Sequence, residues 1–459
     1  MAERPNILFL MSDEHRADVA GYEGNAVIRT PTLDELARTG VVFSSAYAPS
    51  PICIPGRQCM MAGQLPRTCR CEHFGQDLAP GAMTFARRFA QYAYATVCCG
   101  KLHHVGTDQM QGWTDRIAGD CHVDARYLEG REPAEFARYT RETREVKWSD
   151  AKEIQRAGVA HGPYQKRDDL ALAGALEAIE RHFLDPYYDR EQPQQPLLLK
   201  LSLLQPHYPF FTDERRFKYY LSRVQPFLGQ TPSDHPFLGQ RQVRPGIDAS
   251  ARDIRRATAA YYGMIEAVDD AFGRVLEALD DAGQDLDDWI IVYTSDHGDM
   301  LGEHGIWEKQ KFYEASARVP LIIRWPRRLP SGAAVTQNVS QCDLFATLCD
   351  LAGLPTPPGL DSRSLVPLME GRAAGWSDEA VSQFGARNLM IKQGGLKYQY
   401  YGPDMPEVLF DLARDPGELT NVIDAPEYAG AVADFRRRLA ELGHGPDADS
   451  NYVNAGYGQ

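Results

Sequence analysis

Four short apolar runs in this chain end in the same way. Asn6-Ile7-Leu8-Phe9-Leu10-Met11 breaks into Ser12-Asp13-Glu14-His15-Arg16, and Ala95 to Gly100 breaks into Lys101-Leu102-His103-His104. Leu197 to Leu204 runs into Gln205-Pro206-His207-Tyr208-Pro209, and Trp289 to Thr294 into Ser295-Asp296-His297-Gly298-Asp299. Uninterrupted Leu, Ile and Val runs of this length suit strands buried on both faces of a sheet. Helical stretches separate them, at Thr30 to Gly40, about 168–183, about 251–282 and Asp343 to Leu351. Strands alternating with helices give the α/β class. Ligands of open α/β sheets gather beyond the carboxyl ends of the strands. The charged and imidazole side chains are therefore expected along one edge. Singly, each ending has a plainer reading. Asp13 and Glu14 suit a solvated turn, Lys101 and His103 surface decoration, and His207 between its two prolines ordinary turn chemistry.

A fifth stretch, Ser50-Pro51-Ile52-Cys53-Ile54-Pro55-Gly56-Arg57, brings Pro-rich extended chain to a helix-compatible run. Pro55 is tolerated in a first helical turn. Cys53 then stands at a helix N-terminus, where free N–H groups and the macrodipole favour anions. Arg57, one turn on, adds a charge suited to a tetrahedral oxyanion. The residues alone leave two readings open, a sulfur nucleophile in an anion cradle and a buried cysteine beside a structural arginine. Asp296 and His297, adjacent at a strand end before a glycine, make a good metal-ligand pair. Val41 to Ala46 reads as a strand, and Thr30 as the side-chain cap of the helix that Pro31 opens.

The chain has 459 residues, a net charge of −14 and 43% hydrophobic residues. That charge argues against nucleic acid or an anionic membrane as partner. No run approaches the ~18 apolar residues of a membrane span. The first apolar run is too short for a secretion signal. Nine cysteines without a regular framework suit reduced thiols in a cytoplasmic protein. Residues 120–170 read as a polar, substrate-facing insertion. After the Pro/Gly-rich stretch at 354–360, short antiparallel strands are expected from Val381 to Asp411, with turns at Gly394-Gly395 and Gly402-Pro403. A helix over Pro426 to Leu442 and a Gly/Asn/Tyr-rich tail follow. This divides the chain into a catalytic α/β domain, 1–375, and a small C-terminal α+β subdomain, 376–459.

Taken together, these segments resemble the type I, formylglycine-dependent sulfatases of the alkaline-phosphatase-like superfamily. Cys53-Ile54-Pro55-Gly56-Arg57 fits that family's C-x-P-x-R signature, Gly100-Lys101-Leu102-His103 its G-K-x-H segment, and Pro206-His207-Tyr208-Pro209 its P-H-x-P segment. Ser295-Asp296-His297-Gly298-Asp299 followed by Lys309 resembles its second metal segment. Leu409-Phe410-Asp411-Leu412 with Asp415-Pro416 and Glu418 resembles its C-terminal pattern. Gly56 stands where the family usually has Ser, Gln64 where Arg is common, and Glu14 at the second acid position. His297, in place of a common Asn, resembles the choline sulfatase and phosphonate monoester hydrolase branches.

The resemblance implies an α/β/α sandwich around a large mixed sheet and a hydrolase of small-molecule sulfate esters, with phosphonate monoesters or phosphate diesters as the alternative. It implies that Cys53 is converted to formylglycine by a formylglycine-generating enzyme. It further implies one divalent metal ion, Ca²⁺ or Mn²⁺, held by Asp13, Asp296, His297 and position 53, with Glu14 as a further candidate. Arg57 and Lys101 would hold the nucleophile. Lys309 and His207 would neutralise the transferred group and protonate the leaving oxygen, and His103 would assist release of the anion. A homo-oligomer, dimer or tetramer, is the family expectation.

Overall fold

The computed structural model describes residues 4–118, 150–184, 194–230, 233–446 and 448. Most of the expected insertion, part of the Gln/Pro stretch at 191–196 and the tail from 449 lie outside the described residues.

The elements that position the site are, in chain order, β1 (Ile7–Ser12), α1 (Pro31–Thr39), β2 (Val41–Phe43), α2 (Cys53–Ala62), β3 (Ala95–Gly100) and β4 (Asp115–Ile117). They continue as α3 (Pro163–Leu184), β5 (Leu197–Ser202), α4 (Ala251–Asp281), β6 (Ile290–Ser295), β7 (Leu321–Arg324), β8 (Ala333–Val335) and α5 (Asp343–Leu351). One eight-stranded sheet runs β8-β2-β7-β6-β1-β5-β3-β4. The stretch from β6 to β4 is parallel, whereas β7 is antiparallel to both its neighbours.

Side chains alternate across β1, so its residues feed two separate cores. Ile7, Phe9 and Met11 pack with Met60 and Met61 of α2 and Phe345 and Leu348 of α5. Leu8 and Leu10 face Leu33 and Leu36 of α1, Ala171 and Ala175 of α3, and Val268, Phe272 and Val275 of α4. Helices therefore cover both faces, the α/β/α sandwich expected. Each fully buried Leu contributes about 1.5–3 kcal/mol of transfer free energy, so a one-residue slip of β1 would invert both cores. Among the described residues, no helix is long and apolar enough to cross a membrane.

The register fixes where the strands end. Ser12 of β1 pairs with Ser295 of β6, and Ser202 of β5 faces Met11 of β1 and Gly100 of β3. The next residues, Asp13, Asp296 and Lys101, consequently emerge together at the carboxyl edge. Beyond the ladder the loops stay zipped. Leu203 N donates to Met11 O (2.8 Å), Lys101 N to Ser202 O (2.8 Å) and Asp13 N to Gln205 O (3.2 Å).

Several local expectations are corrected. Thr30 does not cap α1 with its side chain. Its Oγ1 accepts from Gly21 N (2.8 Å) and bonds to Asp34, while Asp269 of α4 takes the orphan N–H groups of Thr32 and Leu33 (3.0 and 2.8 Å). The strand expected over 41–46 is two pieces. Val41–Phe43 lies in the main sheet, and Ala46–Tyr47 pairs with Val339–Ser340 in another. Helix α3 starts at 163 because proline suits a first helical position. Strand β5 ends at Ser202, because the N–H groups of Leu204 and Gln205 turn to Asp168.

The C-terminal part carries its own antiparallel sheet, β9 (Glu379–Phe384), β10 (Asn388–Gln393), β11 (Leu396–Tyr400) and β12 (Val408–Asp411). Helix α6 (Ala429–Glu441) covers it with Val432, Phe435 and Leu439, and Phe435 stacks on Tyr398 at 5.4 Å. Glu418 pins this unit to the larger one. Its carboxylate accepts from Glu314 N (2.7 Å) and from Lys397 Nζ (2.8 Å), and Lys397 also reaches Glu314 (2.5 Å).

Candidate active site

Helix α2 is buried along its whole length, and Cys53 is its first residue. The Pro-rich segment before it crosses the first turn so closely that a Cβ on Gly56 would lie 2.8 Å from Ser50 O and 3.4 Å from Asp296 O. Glycine at the position where serine is usual thus matches a close backbone approach in this chain. Arg57 projects from α2 across the strand ends. Its Nη2 donates to Asp13 Oδ2 (2.8 Å) and its Nε to Asp296 Oδ2 (2.7 Å). Its Nη1 donates to Lys101 O and Ser202 Oγ, both at 2.9 Å. The planar fork of arginine supplies these fixed directions, which lysine could not.

Lys101 Nζ adds a contact of 2.5 Å to Asp13 Oδ2. Burial alone would raise the Asp13 carboxyl, but Lys101 and Arg57 outweigh it and hold the group well below the usual carboxylate range. Asp13 is therefore an anion in a dry site. Asp296 Oδ1 accepts from Glu14 N and from its own neighbour His297 N, both at 3.0 Å.

The His297 ring is oriented by the next peptide. Its Nδ1 lies 3.0 Å from Gly298 O. A carbonyl can only accept, so Nδ1 carries the proton and Nε2 keeps its lone pair. That lone pair faces Cys53 Sγ at 3.2 Å and Asp296 Oδ1 at 3.7 Å. A side chain at Gly298 would meet Ala315 O at 2.0 Å, so only glycine lets the turn close and aim the imidazole. Asp13, Cys53, Asp296 and His297 each offer one ligand atom within 4.8 Å of the others, and all four are buried. Two carboxylate oxygens and an imidazole lone pair suit a divalent cation.

Glu14 stands apart from this set. It groups instead with Asp13 and His207, and its Oε2 accepts from Lys309 Nζ at 2.8 Å. His207 Nδ1 lies 2.6 Å from Tyr208 O, so it donates there, and Nε2 receives Lys309 Nζ at 2.8 Å. Burial and then Lys309 push the His207 imidazolium well below its ordinary pKa, so the ring is neutral. Burial works against the Lys309 ammonium too, but the acidic groups around it, Cys53 and Glu14 foremost, hold its pKa above the usual lysine value. His103 is buried at a positive φ of 62°, with the half-exposed Phe74 edge-on to its ring at 5.5 Å. The extended alternation expected of Lys101 and His103 is thus broken by a left-handed residue. Asp299 turns away to accept from Leu301 N (2.6 Å).

Nothing in the sequence marks Asp168 as part of this site. From α3 its two oxygens take Leu204 N (2.6 Å) and Gln205 N (3.0 Å), which fixes the loop presenting His207. Burial raises its pKa to about 7. Tyr164, one turn earlier, meets the His207 ring edge-on at 5.7 Å.

Cys53 as a thiol is poorly placed for nucleophilic work. Burial and then the Asp13 charge push it up to about 11, and a reactive thiol needs the opposite shift.

The chain is similar to known proteins along nearly its whole length. The chain is 30% identical to a choline-sulfatase of Rhizobium meliloti over 443 residues, 92% of this chain and 83% of that one. It is 30% identical to an arylsulfatase of Clostridium perfringens over 483 residues, 99% of this chain and 98% of that one. The phosphonate monoester hydrolase of Agrobacterium radiobacter superposes with a TM-score of 0.74 at 25% identity, covering 96% and 95% of the two chains. The profile of the N-sulphoglucosamine sulphohydrolase C-terminal region matches residues 302–444. The sulfatase profile matches residues 5–354, and with three quarters of its length inside that match this chain belongs to the sulfatase family.

Proposed function

We propose that the chain hydrolyses small-molecule sulfate esters at the carboxyl edge of its sheet, with position 53 matured from cysteine to formylglycine by a formylglycine-generating enzyme. The observation that carries this reading is the convergence of Cys53, Asp13, Asp296 and His297 within one buried ligand sphere, clamped by Arg57. The donor set fits one divalent ion, Ca²⁺ or Mn²⁺, held by Asp13, Asp296, His297 and the residue at position 53. When bound, the ion supplies positive charge that acidifies a hydroxyl, and formylglycine, as its hydrate, supplies that hydroxyl.

The remaining steps belong to side chains present in the chain. Arg57 keeps Asp13 and Asp296 apart from bulk water and at fixed separation. Lys101, against Asp13, holds the nucleophile together with Arg57, and Lys309 neutralises charge gathering on the transferred anion. Lys309 shares its proton density with neutral His207 Nε2, so this pair can hold and pass the proton that the leaving oxygen requires. His103, which follows Lys101 in the same loop, is the base that assists departure of the anion. Preorganised cations in a dry cleft of this kind contribute several kcal/mol to transition-state binding.

Hydrolysis of phosphonate monoesters or phosphate diesters is the second reading, favoured by the structural likeness to a phosphonate monoester hydrolase and by the imidazole ligand His297. A panel of sulfate monoesters, phosphonate monoesters and phosphate diesters separates the two. The first reading expects the highest kcat/KM on a sulfate ester. Dominant turnover of a phosphonate or a phosphodiester overturns it. A dimer or tetramer is part of this proposal, and sedimentation equilibrium tests it.

A further inference from the structure

A second group of thiols lies behind the active site, and the chemistry above does not use it. Cys59 sits on α2, nearly two turns after Cys53, and is buried. After Gly63 the chain folds back into the short helix Pro66–Cys69, and Arg70 in the left-handed region (φ 62°) turns it again, so that Cys69 and Cys71 both return to α2. Cys59 Sγ and Cys69 Sγ are 3.5 Å apart. Cys71 is buried, whereas Cys69 is half-buried. The three sulfurs do not form a compact metal-ligand group among the described residues.

We propose that Cys59 and Cys69 form a reversible oxidation site, in which Cys69 is the attacking thiol and Cys59 the resolving one. The Cys69 thiolate attacks one oxygen of hydrogen peroxide. The O–O bond breaks, hydroxide leaves, and Cys69 becomes a sulfenic acid. The Cys59 sulfur then displaces that hydroxyl as water, and the Cys59–Cys69 disulfide forms. Two electrons pass from the sulfur pair to peroxide. A dithiol reductant returns them by exchange through a mixed disulfide. The sulfurs need to close by only ~1.5 Å to reach bonding distance. Hydrogen bonds from Cys59 and then Cys71 favour the Cys69 thiolate and hold its pKa well below the usual thiol value, which suits the attacking role. The product ties the helix that carries Cys53 and Arg57 to the following turn.

Trypsin separates the three cysteines, because Arg57, Arg67, Arg70 and Arg87 place them in peptides 58–67, 68–70 and 71–87. The full-length protein, reduced and then freed of reductant, is treated with hydrogen peroxide, blocked with iodoacetamide and digested without reduction. The expected product is peptide 58–67 joined to 68–70, about 2 Da lighter than the sum of the two, and dithiothreitol abolishes it. Cys69→Ser loses the linked peptide and keeps its turnover of substrate, whereas Cys71→Ser retains the link. A link between 68–70 and 71–87, or Cys69 still fully alkylated after peroxide, overturns the proposal. The wild-type peptide map alone decides if either variant misfolds.

Discussion

Nε2 of His297 faces Sγ of Cys53 at 3.2 Å because Nδ1 of the same ring is bound to the carbonyl of Gly298 at 3.0 Å. The turn at Gly298 thereby sets the tautomer of a residue on one strand end against the first residue of a helix distant in sequence.

His297→Ala removes the imidazole lone pair but leaves Asp13 and Asp296. The variant is expected to bind Mn²⁺ at least tenfold more weakly and to lose ~10²-fold or more in kcat, by the scale of lost metal and electrostatic contacts. Isothermal titration with Mn²⁺ and Ca²⁺, with turnover measured alongside, checks this. In the wild type a chelator is expected to abolish activity, and one of the two ions to restore it.

Arg57 neutralises two buried carboxylates at once. Arg57→Met leaves Asp13 and Asp296 with less positive charge in a dry site, and breaking a buried ion pair in this way costs about 3–5 kcal/mol. Urea denaturation of the metal-free protein is expected to show a fall of that order. Arg57→Lys is expected to recover only part of it, since one ammonium cannot match both directions of the fork.

Asp168 acts through the backbone of the His207 loop. Asp168→Ala strips the acceptor from Leu204 N and Gln205 N, leaving two donors orphaned at roughly 1–3 kcal/mol each. His207 and Lys309 then lose their fixed separation. The expected signature is a fall in kcat larger than any rise in KM, together with a lower melting temperature.

His15 predicts the acid side of the stability curve. Its Nε2 donates to Val19 O (2.8 Å) and its Nδ1 accepts from Tyr293 OH (2.5 Å). A second ring proton has no place there, and burial lowers the pKa from 6.5 to about 4. The unfolded chain therefore binds more protons than the native one between those values. The His15 contribution to stability therefore rises with pH across this window, and about 3 kcal/mol of it is lost on going from 6.5 to 4. The difference in denaturant midpoint between wild type and His15→Gln, followed from pH 7 to pH 4, isolates this contribution, because buried carboxyls such as Asp168, raised to about 7, work in the opposite direction.

The strand ends were legible in the sequence because buried parallel strands are apolar throughout and stop abruptly at polar residues. That pattern placed Asp13, Lys101, His207 and Asp296 on one edge without coordinates. It could not show what Glu14 does. An acid next to Asp13 reads as a second ligand, and only the positive φ of 68° at Glu14 and the position of Lys309 turn its carboxylate towards His207. Asp168 was invisible for another reason. Its role depends on α3 beginning at Pro163 and crossing the end of β5, a long-range contact with no periodic signal. The split of residues 41–47 between two sheets likewise follows from pairing with Val335 and Val339, far along the chain. Glu418, by contrast, was visible as part of a pattern, and its bonds to Glu314 N and Lys397 give that pattern a structural purpose.

The central claim is the identity of the side chain at position 53. Trypsin releases it in peptide 39–57, which holds no other cysteine. In active protein from the native host, or made with a formylglycine-generating enzyme, that peptide is expected to weigh about 18 Da less than its cysteine form. Its abundance should track sulfate ester turnover from one preparation to the next. Fully active protein in which peptide 39–57 carries only an unmodified thiol would contradict the account.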